Sequence, residues 1–252
     1  MVTRTIVLGP EFDHLEDDTE ETLVGASYHQ DAIIGVYRSL LRYRRQHGFT
    51  WFIGNQLKLL APREGGGQIY SPAPDVLVHT TLGPDPRASL SVVREGPPAL
   101  IVEVLSPSTG LGTDLDQRGK VGTYAAMGVA EYLTFDPIGE IVPEQVRAWR
   151  LGPDDTYVPW VPTATLRWQS ALGLAFAPQG LRLRVFDETG VLIPDVDDLD
   201  EGFDQQAREL AAEREQRLIQ ERMLTEETSR RMASERELAA LRAELARLRD
   251  KA

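Results

Sequence analysis

The first feature of the hydrophobic pattern is a helix near the start of the chain. Over residues 28–47 the apolar side chains recur at intervals of three and four, which is the spacing of an amphipathic helix. Gly48 marks its end, because glycine commonly follows the last helical residue. Another face of this helix carries Arg38, Arg42 and Arg45. We favour a solvated face for these arginines, and contact with phosphate groups is the alternative.

Short apolar runs after this helix predict the strands of a sheet. They lie at residues 50–53, 56–60, 75–79 and 99–105, and a helix over about 115–127 and a strand at 131–135 follow. This order of helix, strands, helix and strand predicts a mixed α/β domain. Alternating residues further along predict half-exposed strands or hairpins that lie against the first sheet. These later runs are residues 146–150, 156–160, 181–186 and 191–193.

Changes in composition divide the chain into three predicted parts. Residues 1–24 form an acidic N-terminal segment, within which residues 11–22 are poor in apolar side chains, as is typical of an extended or mobile stretch. Residues 25–196 hold the α/β domain, and residues 197–252 form a C-terminal helical part. An acidic linker at residues 195–201 joins the two.

The C-terminal part predicts a long helix with a coiled-coil stripe. From Phe203 to the end the chain has neither glycine nor proline and is rich in Ala, Glu, Arg and Leu. Arg217 and Arg231 interrupt the seven-residue register of this region. We predict a modest coiled coil that is strongest at its C-terminal end, and a single charged helix held by Glu–Arg pairs is the alternative. The clean stripe consists of Leu238, Leu241, Leu245 and Leu248.

Composition and charge narrow the possible functions. The 252 residues include no cysteine, which excludes disulfide frameworks, thiolate metal sites and cysteine nucleophiles. The start of the chain lacks a signal peptide, and no segment is apolar enough to span a membrane, so we expect a cytoplasmic protein without a membrane partner. The formal charge is −12, whereas proteins that wrap duplex DNA are normally basic. Any nucleic-acid role must therefore depend on a local basic patch or on bound cations.

The clearest departure from the apolar pattern is Glu103. It lies at the centre of the strand-forming run "PALIVEVL", where strand alternation puts it on the same face as Ile101 and Leu105. Burying an unpaired carboxylate costs several kcal/mol or more, so Glu103 requires a partner, a cation or the loss of its charge.

Candidate partners lie on neighbouring elements. Asp75 opens another apolar strand, and Asp116, Lys120 and Tyr124 follow one another at helical spacing on one face of the later helix. Two carboxylates and a lysine at one edge of a sheet could hold a divalent cation such as Mg²⁺ and activate water for attack on a phosphoryl group. A single buried ion pair between Glu103 and Lys120 explains these residues equally well.

Three segments together resemble a known family. The stretches "SPAPDVLV", "PALIVEVLSPST" and "DQRGKVGTYAAMGVAEYLTFDP" are similar, in this order, to the Uma-type restriction endonuclease family of the PD-(D/E)XK nuclease superfamily. The resemblance spans about residues 25–194. It implies a restriction-endonuclease-like mixed β-sheet core flanked by helices, and it implies a metal-dependent nuclease.

The resemblance also implies roles for individual residues. Asp75 and Glu103 would bind Mg²⁺ or Mn²⁺, and Lys120 would act catalytically with them. The common nuclease pattern has a lysine two positions after the glutamate, but Leu105 stands there, and Lys120 is the expected substitute. Asp116 and Tyr124 would support Lys120.

Two N-terminal residues are weaker candidates. Glu21 is the best match for a further acid that many relatives carry in this region. His29, at the start of the first helix, could contact phosphate, but a helix cap or a surface position is the favoured interpretation.

We therefore expect a metal-dependent endonuclease that hydrolyses nucleic-acid phosphodiester bonds, with DNA as the expected substrate. A homodimer formed through the C-terminal helix is expected, because two copies of a one-strand site can cut both strands of a duplex. The alternative is a catalytically inactive protein with a nuclease fold that assembles through its coiled coil.

Overall fold

The structure of the protein is a computed structural model that describes residues 27–62, 69–70, 72–106, 115, 119–203, 205–206, 208–210, 212–213, 215–217, 220 and 223. Its first elements in chain order are α1 (Ser27–His47), β1 (Phe52–Asn55), β2 (Lys58–Pro62), β3 (Ile69–Tyr70), β4 (Val76–His79), β5 (Ser89–Ser91), α2 (Val92–Glu95) and β6 (Leu100–Val104). They are followed by α3 (Lys120–Met127), β7 (Glu131–Phe135), β8 (Val146–Leu151), β9 (Tyr157–Pro159), β10 (Trp168–Gln169), β11 (Leu174–Gln179) and β12 (Arg182–Asp187).

A mixed central sheet organises the described part of the chain. Its six strands lie in the order β1-β4-β6-β7-β8-β9. Strands β6 and β7 are parallel, and the other neighbours are antiparallel. Two smaller sheets of three strands have the orders β10-β11-β12 and β3-β2-β5. The predicted α/β class with a mixed sheet flanked by helices is confirmed.

The central sheet is covered on both faces, which explains why its inner strands read as nearly continuous apolar runs. One face packs against α1 and the sheet of β10, β11 and β12. The other face packs against α3 and against β2 and β5. Every residue of β6 is buried, and alternate residues serve opposite cores, with Val102 and Val104 on the α1 face and Ile101 on the α3 face. Glu103 therefore points toward α3.

The main elements lie where the pattern predicts them, and the errors concern short elements and the later strands of the domain. Strands β8 and β9 extend the central sheet instead of lying against it. The strand predicted at residues 191–193 is wrong, because only an isolated bridge between Phe186 and Leu192 forms there. The pattern also missed the short elements β3, β5, α2 and β10 as well as β11, whose sequence LAFAPQ lacks regular alternation.

The chain after Asp197 forms a second compact unit. Residues 196–203 are helical, so most of the segment predicted as an acidic linker is helix. Phe203, Leu210 and Met223 are large apolar side chains that lie exposed on described helical residues of this unit. The leucines of the predicted coiled-coil stripe, at 238–248, lie outside the described residues. None of the described helices combines the length and the apolar character that a membrane crossing requires.

Candidate active site

The register of the central sheet places Asp75 opposite Glu103. Strands β4 and β6 are antiparallel and pair Val76 with Val102, so Asp75 and Glu103 face each other at the next step. The backbone N–H of Asp75 donates to Glu103 Oε2 at 3.3 Å, and the backbone N–H of Val104 donates to Asp75 Oδ2 at 2.8 Å. Each carboxylate is thus anchored by the other strand, and both are held at the same edge of the sheet.

Helix α3 supplies two further groups to Glu103. Lys120 Nζ lies 3.3 Å from Glu103 Oε1, and the Tyr124 hydroxyl donates to the same oxygen at 2.6 Å. Lys120 and Tyr124 are four residues apart and therefore lie one helical turn from each other on one face. The side chain of Glu103 is only 2% exposed and that of Lys120 14%. The buried charge predicted from the sequence is therefore paired.

The electrostatics of Asp75 reflect a crowded pair of carboxyl groups. Burial is the main cause that raises the pKa of Asp75 above its ordinary value. Lys120, the Val104 N–H, His29 and a hydrogen bond shared with the Glu103 side chain oppose this rise. Each carboxyl group accepts a hydrogen bond from the backbone of the opposing strand. A cation between the two carboxyl groups would favour the ionised form of both.

His29 lies in the site and is half-buried rather than on the surface. It belongs to the first turn of α1, and its Nε2–H donates to the carbonyl of Val104 at 2.8 Å. Its Nδ1 is buried and has no hydrogen-bond partner among the residues that the structure describes. The end of β6 is therefore held from both sides, since Asp75 accepts from Val104 N–H and His29 donates to Val104 C=O.

The donor set fits a hard divalent cation that keeps part of its own hydration. Mg²⁺ is typically bound through one or two carboxylates, with water or substrate phosphate completing its coordination. Asp75 and Glu103 offer such a pair. Over the described residues, no group of three or more His, Asp or Glu side chains could enclose a metal. The site fits Mg²⁺ or Mn²⁺, and its described residues do not supply the ligands of a closed structural metal site.

Not every predicted residue can be placed. Asp116 and Glu21 lie outside the described residues. Leu105 is buried just beyond β6, where its backbone N–H donates to the carbonyl of Phe135 at 2.7 Å, so an apolar side chain fits this position. The ammonium group of the site comes from α3 instead.

Sequence reasoning missed the part that the backbone of Val104 plays. Both its N–H and its C=O are bound by side chains of the site, from Asp75 and His29. Backbone groups leave no trace in a sequence motif, so no signal could have revealed this anchor.

Comparison with known proteins gives a family match and a distant structural similarity. A family model described as "Uma2: Putative restriction endonuclease" matches residues 19–185. The crystal structure of "a putative nuclease belonging to DUF820" from Anabaena variabilis matches with 16% sequence identity and a TM-score of 0.38, covering 60% of this chain and 77% of that chain. No curated protein matches the chain.

Proposed function

The chain belongs to the Uma2 family of restriction endonuclease-like proteins, and we propose that it is a metal-dependent endonuclease that hydrolyses phosphodiester bonds in DNA. The observation that carries this proposal is the convergence of Asp75, Glu103 and Lys120 at one edge of the central sheet. Two hard oxygen donors beside an ammonium group are suited to a phosphate substrate and its cation. The absence of cysteine agrees with action in a reducing cytoplasm.

Hydrolysis adds water across one P–O bond, so the site must hold the scissile phosphate, orient the water and stabilise the charge that develops. Asp75 and Glu103 would hold the divalent cation, which, when bound, acts as a Lewis acid toward water and phosphate oxygens. Lys120 would orient the attacking water or stabilise the charge on the phosphoryl oxygens, because its ammonium group is fixed beside Glu103. Tyr124 restrains Glu103 through the hydrogen bond to Oε1.

The test is cleavage of single- and double-stranded DNA, and of RNA of the same sequence, with Mg²⁺ or Mn²⁺. Asp75→Asn, Glu103→Gln and Lys120→Met are each expected to lower the cleavage rate by about a hundredfold or more. Asp85→Asn, an exposed aspartate on the loop after β4, is the matched control and should cut like the wild type. Calorimetric titration with Mn²⁺ should show binding that Asp75→Asn and Glu103→Gln weaken.

A catalytically inactive interaction protein is the second candidate, and a specific observation favours it. Glu103 already has an ammonium group and a hydroxyl as partners, so an ion pair could satisfy it without a metal. Under this alternative the wild type binds no Mn²⁺ and cuts none of the substrates.

We also propose that two copies act together through the C-terminal helix, so that each copy cuts one strand of a duplex.

A further inference from the structure

The end of β6 at the candidate active site lacks a backbone donor on its β4 side. Strands β4 and β6 are antiparallel, and Val76 lies opposite Val102. Two further steps of this register assign Pro74 to Val104, the last residue of β6. Proline has no N–H, so it cannot donate to the carbonyl of Val104. The backbone ladder between the two strands therefore stops where the site begins.

Val104 directs both of its backbone groups to this side. The N–H of the next residue, Leu105, donates to the carbonyl of Phe135 on β7. Successive residues of a strand direct their backbone groups to opposite sides, so the N–H and C=O of Val104 lie on the β4 side. Val104 is 2% exposed, and buried backbone groups are nearly always paired. Side chains must therefore supply the partners that Pro74 cannot.

Asp75 and His29 are these partners. Asp75 Oδ2 accepts from the Val104 N–H, and His29 Nε2–H donates to the Val104 C=O, each at 2.8 Å. Nδ1 of His29 is buried and has no partner within the described part of the chain, so the bond to Val104 orients the ring and fixes the proton on Nε2. The charge of His29 is among the causes that lower the pKa of Asp75, which shows that the two side chains are close.

We propose that His29 is a positioning residue of the candidate active site, which holds the backbone of Val104 so that its N–H stays directed at Asp75 Oδ2. The Asp75 carboxylate then keeps the orientation in which it would bind the cation. Carboxylates that bind a metal are commonly oriented by hydrogen bonds from neighbouring groups, and these groups contribute to metal affinity. This role rests on the proposed function, because it serves the metal-binding carboxylate of that site. A bond that only fastens α1 to the sheet is the competing explanation.

Helix α1 provides an internal comparison. Ser39 donates to the carbonyl of Ile193 and Tyr43 donates to that of Gly173, each at 3.2 Å. Both side chains fasten the same helix to the backbone of another segment, as His29 does. Neither carbonyl belongs to a residue of the candidate site. Loss of either bond should therefore weaken the fold without changing metal binding.

The decisive variants are His29→Asn and His29→Gln. The amide nitrogen of glutamine is as many bonds from Cβ as Nε2 of histidine, whereas that of asparagine corresponds to Nδ1. His29→Gln should therefore keep the bond to Val104 and His29→Asn should lose it. In calorimetric titration with Mn²⁺, the affinity of His29→Asn should fall by about tenfold or more, the usual effect of losing a group that orients a metal ligand. His29→Gln, Ser39→Ala and Tyr43→Phe should bind Mn²⁺ like the wild type.

Cleavage kinetics separate a positioning role from a structural one. His29→Asn should require about tenfold more Mn²⁺ for half-maximal cleavage, in proportion to its lower metal affinity, and its KM for DNA should stay unchanged. A loss of folded protein alone would lower the maximum rate and leave the Mn²⁺ requirement as it is. All variants are compared at a temperature at which each of them is folded.

The amide of Val104 can be followed by NMR in ¹⁵N-labelled protein without any metal. In His29→Asn its proton resonance should move upfield and its exchange with solvent should become faster, because the hydrogen bond to Asp75 is weakened. His29→Gln should restore both properties. Ser39→Ala and Tyr43→Phe should leave them as in the wild type.

The outcomes separate this inference from the nuclease proposal. If His29→Asn binds Mn²⁺ as the wild type does, or if His29→Gln loses as much affinity, the bond to Val104 does not position Asp75 and the inference is overturned. An equal loss of affinity in Ser39→Ala or Tyr43→Phe would overturn it as well, since the effect would then come from the attachment of α1.

A wild type that binds no Mn²⁺ and cuts no substrate would exclude the nuclease proposal, and the Val104 amide would then decide the role of His29. A change of this amide in His29→Asn that His29→Gln reverses means that His29 orients Asp75 in a site without metal. An amide that is the same in both variants and the wild type overturns the inference.

Discussion

At the scale of single residues, the chemistry of the site depends on how Glu103 is tolerated inside the sheet. A carboxylate that is 2% exposed would be strongly unfavourable alone, but it accepts hydrogen bonds from Tyr124 and from the Asp75 backbone and pairs with Lys120. These partners keep the carboxyl group oriented toward Asp75. A fixed orientation is what a metal-binding or a proton-sharing pair requires.

The hydroxyl of Tyr124 is expected to stabilise the fold through Glu103. Tyr124→Phe removes the 2.6 Å hydrogen bond to a charged acceptor, and the free energy of unfolding should fall by about 2 kcal/mol. Tyr157→Phe, which removes a hydrogen bond of 3.0 Å to the neutral carbonyl of Val129, should lower it by about 1 kcal/mol. Urea unfolding measures both. An equal or smaller loss for Tyr124→Phe would show that the charged bond adds nothing.

His79 is expected to make stability depend on pH at the far end of β4. Burial lowers its pKa below the ordinary 6.5, and its Nδ1 accepts from the Thr81 N–H while Nε2–H donates to the Gly96 carbonyl. The unfolded chain therefore takes up the proton more readily than the folded one. The contribution of neutral His79 to the stability of the fold is complete above about pH 6.5. It is lost as the pH falls through the pKa of His79 in the folded protein.

Urea unfolding between pH 7.5 and pH 5 tests this sign, taking about 6.5 as the ordinary pKa of histidine. The wild type should lose stability more steeply with acidification than His79→Gln. His47→Gln, at an exposed histidine, should follow the wild type. A His79→Gln curve parallel to the wild type would contradict the assignment.

At the scale of elements, buried side chains that bind backbone hold the loops next to the sheet. Asp136 directly follows β7 and is 1% exposed, and its carboxylate accepts from the N–H groups of Ile138, Ile141 and Val142. The connection between β7 and β8 is thereby closed by one side chain. The pattern of apolar residues predicted both strands but contained nothing about this anchor.

Asp136→Ala should lower the free energy of unfolding by about 2–4 kcal/mol, because three backbone donors lose a charged acceptor. Asp136→Asn retains one side-chain oxygen as an acceptor, so its free energy of unfolding should fall by less than that of Asp136→Ala. Asp154→Ala, at an exposed turn aspartate, is the control and should stay within about 0.5 kcal/mol of the wild type. Thermal unfolding of the three variants tests whether Asp136→Ala loses the most stability, Asp136→Asn less and Asp154→Ala the least.

The accuracy of prediction differed among elements for physical reasons. Helix α1 and strands β6 and β7 were predicted because a long period or a continuous apolar run is encoded locally. Strands β5 and β10 have three and two residues, too few to show a period, and they exist because a neighbouring strand pairs with them. Such pairing is a property of residues distant in sequence.

At the scale of the whole molecule, the central sheet brings site residues from separate segments to one edge. Asp75 comes from the start of β4, Glu103 from β6 and Lys120 from the start of α3, and His29 reaches the same edge from α1 on the other face. Their catalytic roles stay predictions. The second unit, which begins at Asp198, carries the residues expected to join two copies.

If two copies associate through the C-terminal leucine stripe, two charged residues introduced into that stripe should dissociate the dimer. Leu241→Asp/Leu245→Asp should convert the dimer to monomer in sedimentation equilibrium, since it puts like charges into the predicted seam. Ala239→Asp/Ala243→Asp adds the same charge off the stripe and should remain dimeric. The seam variant should also nick supercoiled DNA more often than it cuts both strands. A wild type that is monomeric at all concentrations would exclude this mode of pairing.

The sequence by itself determined the mixed α/β class, the central strands and the first helix and nominated the candidate site residues, because apolar periodicity and a misplaced charge are local signals. Only the tertiary structure decided that Asp75 faces Glu103, that Lys120 Nζ lies 3.3 Å from Glu103 Oε1, and that His29 binds Val104. These contacts join residues from 17 to 75 positions apart, and the shared buried edge of the sheet brings them together. The register of β4 against β6 places Asp75 opposite Glu103. No single segment of the sequence encodes this register.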